Sequence, residues 1–425
     1  MTRADTRTAA LALALTAGLL AGCTSGSDGE PEPTASSSPG SPLPARPTDA
    51  STDLEPYRGP PDDAPGSLGP LTTLRGVLDL TAATPGVFAR ADAAVATPDG
   101  GAVVLLTPRD PDLPHQVVSV APGSLAVLAS VPLPRMHDVW DVHLADDGAV
   151  VVSGQLRTPD GGASGFSVVD PATGAVSSRV VVPLRRGTVS ATGRSALAGG
   201  ALYLFSTVER DDGVDERLVA VDVRTGVVVE DRDVTDDVAA VSQAPVGRQL
   251  AGLVARPDGG VTVAFDASPT EVLTDRIPTL LRFDASLRPD GKGVRATDLA
   301  EGAETQAVAA TPDGTVFLLV EVDEGGWILA IPEGGGAGPL LAQIEDRIFT
   351  YALVVEPAQV WALIPAAEGV RAVDLTTGEV RGSILLGCSP RLDVRALLPA
   401  PGGALLIGEC DTPREDTQLL WFVGP

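Results

Sequence analysis

From Ala89 onward, short apolar runs alternate with polar turns of one recurring kind. Thr97-Pro98-Asp99-Gly100-Gly101 precedes the run Ala102–Thr107, and Ala145-Asp146-Asp147-Gly148 precedes Ala149–Gln155. Leu197-Ala198-Gly199-Gly200 precedes Ala201–Val208, and Arg256-Pro257-Asp258-Gly259-Gly260 precedes Val261–Asp266. Thr311-Pro312-Asp313-Gly314, Glu356-Pro357-Ala358 and Pro399-Ala400-Pro401-Gly402-Gly403 stand in the same relation to Val316–Val322, Val360–Ile364 and Ala404–Gly408. From first residue to first residue, these seven turns recur at spacings of 43 to 59 residues. Pro and Asp initiate such turns and Gly supplies a positive φ, so each predicts a hairpin. The runs after the turns are almost continuously apolar, as strands covered on both faces are.

A second signature follows in several units: Val169-Asp170-Pro171-Ala172-Thr173-Gly174, Val221-Asp222-Val223-Arg224-Thr225-Gly226 and Val373-Asp374-Leu375-Thr376-Thr377-Gly378. It predicts a turn between a third and a fourth strand. Repeated units of four short strands, a to d, predict an all-β, seven-bladed β-propeller over residues 71–425. A degenerate turn would change the count to six or eight. The last unit has only three runs, and Leu71–Leu80 has strand character. The N-terminal strand is therefore expected to close the ring as strand d of the last blade. This topology puts the short a–b and c–d turns on one face. The longer loops Arg185–Thr192, Glu209–Glu216, Asp233–Gly247 and Ala267–Thr279 fall on the d–a/b–c face, where binding usually sits.

The N-terminus changes the picture from a bare domain to an exported one. Arg3 and Arg7 precede an apolar run from Ala9 to Leu20, which ends in Leu20-Ala21-Gly22-Cys23. Residues 1–22 therefore read as a signal peptide. Residues 23–70 are rich in Ser, Pro, Gly, Thr and Asp and read as a disordered tether. The formal net charge is −26, which excludes the basic surface that nucleic-acid binding requires. Acidic residues crowd the predicted loops of the middle units: Glu209, Asp211, Asp212, Asp215, Glu216, Asp233, Asp236, Asp237, Glu321, Asp323 and Glu324. They lack the alternation of a calcium loop and read as a solvated face.

The Leu20–Cys23 stretch resembles the processing motif of bacterial lipoproteins. That resemblance implies cleavage before Cys23, lipidation of Cys23 and attachment to the extracytoplasmic side of the cell membrane. With Cys23 so assigned, Cys388 and Cys410 form a pair expected to bond in an exported protein. The Pro-Asp-Gly and Asp-x-x-Thr-Gly turns resemble those of bacterial YVTN-type and quinoprotein-like β-propellers, from Leu71 to Pro425. The resemblance implies the fold and not an activity. The quinoprotein dehydrogenases' adjacent cysteine pair is missing, and the chain has no Asn for their metal site. No cofactor is expected.

One cluster combines candidate ligands: His137, Asp138, Trp140, Asp141 and His143, at the start and on the first strand of the second unit. Alternate residues of a strand point the same way, so His137, Asp141 and His143 could share a face. Channel-lining residues without a ligand are the simpler account. No catalytic or metal-ligating set is assigned. The expected role is a non-catalytic, monomeric binding or scaffold lipoprotein that holds an unknown protein or envelope component on its loop face. The alternative is an envelope- or polysaccharide-directed hydrolase or lyase with its site at the channel mouth. Convergent carboxylates, His and Arg in a deep pocket would distinguish the second.

Overall fold

A computed structural model describes residues 73–84, 89–159, 161–183, 188–210, 213–242, 248–268, 276–291, 293–295, 303–311, 314–322, 325–332, 340–344, 353–356, 361–366, 369–374, 380–386, 392–400, 403–411 and 416–424. The predicted signal peptide, the tether, Cys23 and Cys388 lie outside them. Strand β1 (Thr73–Asp79) and helix α1 (Leu80–Ala83) come first. They are followed by β2 (Ala89–Ala96), β3 (Ala102–Pro108), β4 (His115–Val120) and β5 (Val127–Leu133). The next group is β6 (Met136–Leu144), β7 (Val150–Thr158), β8 (Gly161–Val169) and β9 (Val176–Pro183). Then come β10 (Thr188–Ala198), β11 (Ala201–Arg210), β12 (Gly213–Asp222) and β13 (Val228–Asp233). Helix α2 (Thr235–Ser242) leads into β14 (Arg248–Ala255), β15 (Val261–Ala267), β16 (Ile277–Phe283) and β17 (Val294–Arg295). The fifth group is β18 (Glu304–Ala310), β19 (Val316–Val322), β20 (Gly325–Ile331) and β21 (Leu340–Ile344). The sixth is β22 (Val354–Glu356), β23 (Trp361–Ala366), β24 (Gly369–Asp374) and β25 (Val380–Leu385). The chain ends with β26 (Leu392–Ala400), β27 (Gly403–Asp411) and β28 (Asp416–Gly424).

These strands form seven four-stranded antiparallel sheets, one of them in the order β1-β28-β27-β26. The fold is a β-propeller. The first strands of successive sheets touch one another in cyclic order: β2, β6, β10, β14, β18, β22, β26 and again β2. Apolar side chains from consecutive sheets interlock between them. Val103, Leu105 and Val117 meet Met136, Val142 and Val152, for instance, and Leu405, Ile407, Leu420 and Phe422 meet Leu80, Leu106 and Val118. The second strands are buried on both faces; every residue of β15 is. The fourth strands are wet, as β13 is at nearly every position. That gradient explains why continuously apolar runs mark the second strands and alternation is weak elsewhere.

The described a–b turns behave as the sequence predicts, while residues 357–358, 375–378 and 401–402 of the predicted turns lie outside the described residues. Gly100, Gly148, Gly259 and Gly314 have φ between 82° and 89°, a region costly for other residues. Thr97, Ala145, Arg256 and Thr311 each donate their N–H across the turn, to the carbonyls of Gly101, Ala149, Gly260 and Thr315. In the second signature, Asp170 accepts from the Thr173 hydroxyl at 2.7 Å and Asp222 from that of Thr225 at 2.7 Å. These bonds hold both exposed carboxyls below the usual carboxylate range.

The predicted long loops of the third unit are shorter than the sequence suggests. β10 begins at Thr188, within the expected loop Arg185–Thr192, and β11 and β12 pair out to Arg210 and Gly213. Pairing therefore extends into the expected Glu209–Glu216 loop as far as Arg210 and Gly213. The expected Asp233–Gly247 loop holds α2, whose first turn carries Asp236 and Asp237. Asp233 accepts from the Thr235 N–H at 3.0 Å as its cap. Val234 and Val238 fix the helix to the apolar cluster between the third and fourth sheets. Much of the acidic face is thus helix capping and strand pairing. Arg217 grips Asp231 through two bonds of 2.6 Å, and Arg232 meets Asp237 at 2.9 Å.

Candidate functional site: the central cavity

A cavity of about 340 Å³ opens where the first strands converge. Its polar lining is Asp92 from β2, Trp140, Asp141 and His143 from β6, Arg194 and Ser195 from β10, Gln249 from β14, Glu304, Thr305 and Gln306 from β18, and Arg395 from β26. A local irregularity aims several of these side chains. The strand register slips at Asp92, Trp140, Ala251, Gln306 and Arg395, each being one extra residue on a first strand. Each lies five residues before the residue that closes its strand at the a–b turn: Thr97, Ala145, Arg256, Thr311 and Ala400. Such bulges bend a strand and re-aim its side chains. In the third sheet the same position is Gly193, where the pairing is regular. A Cβ there would lie 2.5 Å from the ring of Trp140, so the glycine makes room for the indole of the neighbouring sheet.

The bulges also account for the fate of the predicted cluster. β6 carries register slips between Met136 and Asp138 and between Val139 and Asp141, so alternation fails along it. Trp140, Asp141 and His143 line the cavity. His137 and Asp138 are exposed at the start of β6 and are not in the lining. Asp138 accepts from the Val139 N–H at 3.0 Å. His115, the third histidine, is buried and ties the first two sheets together, with Nδ1 3.0 Å from the Thr107 hydroxyl and Nε2 3.2 Å from the His137 carbonyl. Burial pushes its pKa down. Among the described residues no three His, Cys, Asp or Glu side chains are grouped to hold a metal ion.

The tightest polar contacts join β6 to β10. The Asp141 carboxylate accepts the Ser195 N–H at 2.6 Å. His143 Nε2 lies 2.6 Å from Ser195 Oγ, which in turn lies 2.7 Å from Ser153 Oγ. Burial pushes the His143 pKa down and outweighs the opposing pull of Asp141, so the imidazole is neutral near pH 7 and able to accept a proton. The arrangement differs from a Ser-His-Asp triad, because the carboxylate orients the serine backbone and not the imidazole.

A related contact joins the fourth and fifth sheets. The buried Asp266 accepts from Thr305 N at 2.8 Å and Thr305 Oγ1 at 2.7 Å. Burial lifts its pKa to about 6 against those bonds. Glu216 and Arg248, 3.0 Å apart and both buried, join the third and fourth sheets, and burial lifts Glu216 to about 7. Gln418 accepts from the Ala91 N–H at 3.0 Å across the seam between the last and first sheets.

The sequence reading missed Asp92, Arg194, Ser195, Glu304, Gln306 and Arg395. A usable signal was the fixed offset from the a–b turn, which picks out Asp92, Gln306 and Arg395 along with Trp140. Arg194 and Ser195 immediately follow the equivalent Gly193.

No protein-family model matches the sequence, and no curated protein matches it. The fold is similar to an oligogalacturonate lyase solved in complex with manganese, with a TM-score of 0.54 and 15% identity over 85% of this chain and 98% of that one. It is also similar to a puromycin hydrolase, with a TM-score of 0.57 and 14% identity over 84% of this chain. The chain spans 55% of the length of that hydrolase. At these identities the similarity is one of fold.

Proposed function

We propose that this protein is a hydrolase or lyase directed at an envelope or extracellular polysaccharide, with its site in the central cavity. The observation that carries this reading is the convergence of Asp141, His143, Arg194 and Ser195 in one half-open polar cavity. A volume of about 340 Å³ is within the range of small-molecule sites. A neutral, buried imidazole suits general-base chemistry, and a guanidinium suits an anionic transition state. The reactions named for the two similar folds, a lyase and a hydrolase, agree with it. In this reading the seven sheets are blades of one ring closed by β1, anchored through lipidated Cys23 and the residue 24–70 tether outside the cytoplasmic membrane. A Cys388–Cys410 bridge is part of the proposal, supported by the burial of Cys410. The non-catalytic loop-face role is the weaker reading, because Glu216, Asp233 and Asp237 of the acidic face are engaged in internal contacts.

The test is release of new chain ends from a panel of acidic and neutral polysaccharides by the mature protein. His143→Gln should lower the rate by roughly 100-fold or more with an unchanged unfolding midpoint. Cleavage unaffected by the substitution, or no cleavage of any polysaccharide, would overturn the assignment.

A further inference from the structure

The charges around the cavity are not balanced once their existing partners are counted. Asp92 is paired with Arg90 at 2.5 Å, and Glu304 with Arg276 at 2.8 Å. The Asp141 carboxylate is oriented by the Ser195 N–H and keeps its charge. Arg395, the second guanidinium of the lining, already has a partner. Arg194 lines the same space, and no described residue offers it an ion pair or hydrogen bond. That is notable in a chain with 56 acidic and 30 basic residues, where partners for an arginine abound. Beside it, Trp140 is only 7% exposed and its buried Nε1–H has no acceptor among the described residues. The indole lies over Gly193, the residue immediately before Arg194. The guanidinium of Arg194, a permanent cation, is therefore the group on this side of the cavity left for a ligand, while the Trp140 Nε1–H is sealed away from it. A guanidinium offers paired N–H donors that match a carboxylate in geometry and charge.

We propose that the cavity selects a carboxylate-bearing saccharide, with Arg194 gripping the carboxylate. This rests on the reading of the cavity as a saccharide site and adds the chemical class of the ligand. A neutral sugar seated against the guanidinium would displace its water without replacing the lost charge pairing, which is costly. The anion instead replaces the water that Arg194 gives up.

Binding alone tests this, apart from turnover. D-glucuronate, its methyl ester and D-glucose share a ring and differ in the carboxylate. Each is titrated into the mature protein and followed by calorimetry. Glucuronate should bind at least about tenfold more tightly than the ester or glucose, the equivalent of about 1.4 kcal/mol. Arg194→Gln should abolish that preference, and Arg194→Lys should keep part of it. Because Arg194 has no described partner in the fold, the unfolding midpoint of Arg194→Gln should match that of the parent. Equal binding of acid, ester and glucose overturns the carboxylate assignment while leaving a polysaccharide-cleaving role in place. Binding of none of them, or a preference that survives Arg194→Gln, overturns it as well. Selective binding of glucuronate without cleavage of any polysaccharide supports the assignment and removes the enzymatic reading instead.

Discussion

At the scale of single residues, buried polar side chains do much of the joining between sheets, and they make stability depend on pH. Asp266 has its folded pKa raised to about 6 by burial, against 3.8 in the unfolded chain. The charged form is the disfavoured one in the fold. Its contribution is therefore fully present below about pH 4 and is lost as pH rises through about 6, with Glu304 adding to the rise and Arg276 opposing it. The loss amounts to about 3 kcal/mol. Urea unfolding from pH 4 to 7 should show the parent losing stability relative to Asp266→Asn as pH rises; a pH-independent difference would refute it. The sequence contained Asp266 and Thr305 in plain view. Nothing in their spacing of 39 residues shows that they meet across two sheets. A second residue-scale expectation concerns Gly193→Ala. The added Cβ would strike the Trp140 ring, costing about 1–3 kcal/mol in chemical denaturation and reddening or blueing the tryptophan emission.

At the scale of strands and turns, most of the fold was legible. The glycines of the a–b turns are needed for their φ, and Gly148 isolates that effect because a Cβ there would touch nothing within 4 Å. Gly148→Ala should destabilise by about 1 kcal/mol, read from the urea midpoint, with no change in spectrum. What stayed hidden were the bulges. A slip of one residue reverses which side chains face the channel, so counting alternate positions from His137 grouped it wrongly with Asp141 and His143. The helix α2 was also missed. Its acidic first turn was read as solvated loop, because Asp233, Asp236 and Asp237 mark a helix start only once Val234 and Val238 are known to be buried.

At the scale of the whole molecule, the pairing of β1 with β28 brings the two ends of the described chain into one sheet. Leu80, which is fully buried, then packs in the cluster shared by the last and first sheets. Leu80→Ala should cost about 2–5 kcal/mol in unfolding free energy and should expose the seam to proteolysis before other sites. The three-run final unit and the strand-like Leu71–Leu80 were enough to foresee this pairing from sequence. The cavity was not foreseeable to the same degree, since its lining draws single residues from strands spread over some 300 positions. The central claim, that function resides in this cavity and not on the loop face, is tested most directly by a crystal structure of the mature protein grown with a glucuronate-containing disaccharide. The account predicts ligand density inside the ring of first strands, with a carboxylate on Arg194 and the sugar beside His143. Density on the d–a/b–c loops, with the cavity holding only solvent, would contradict it.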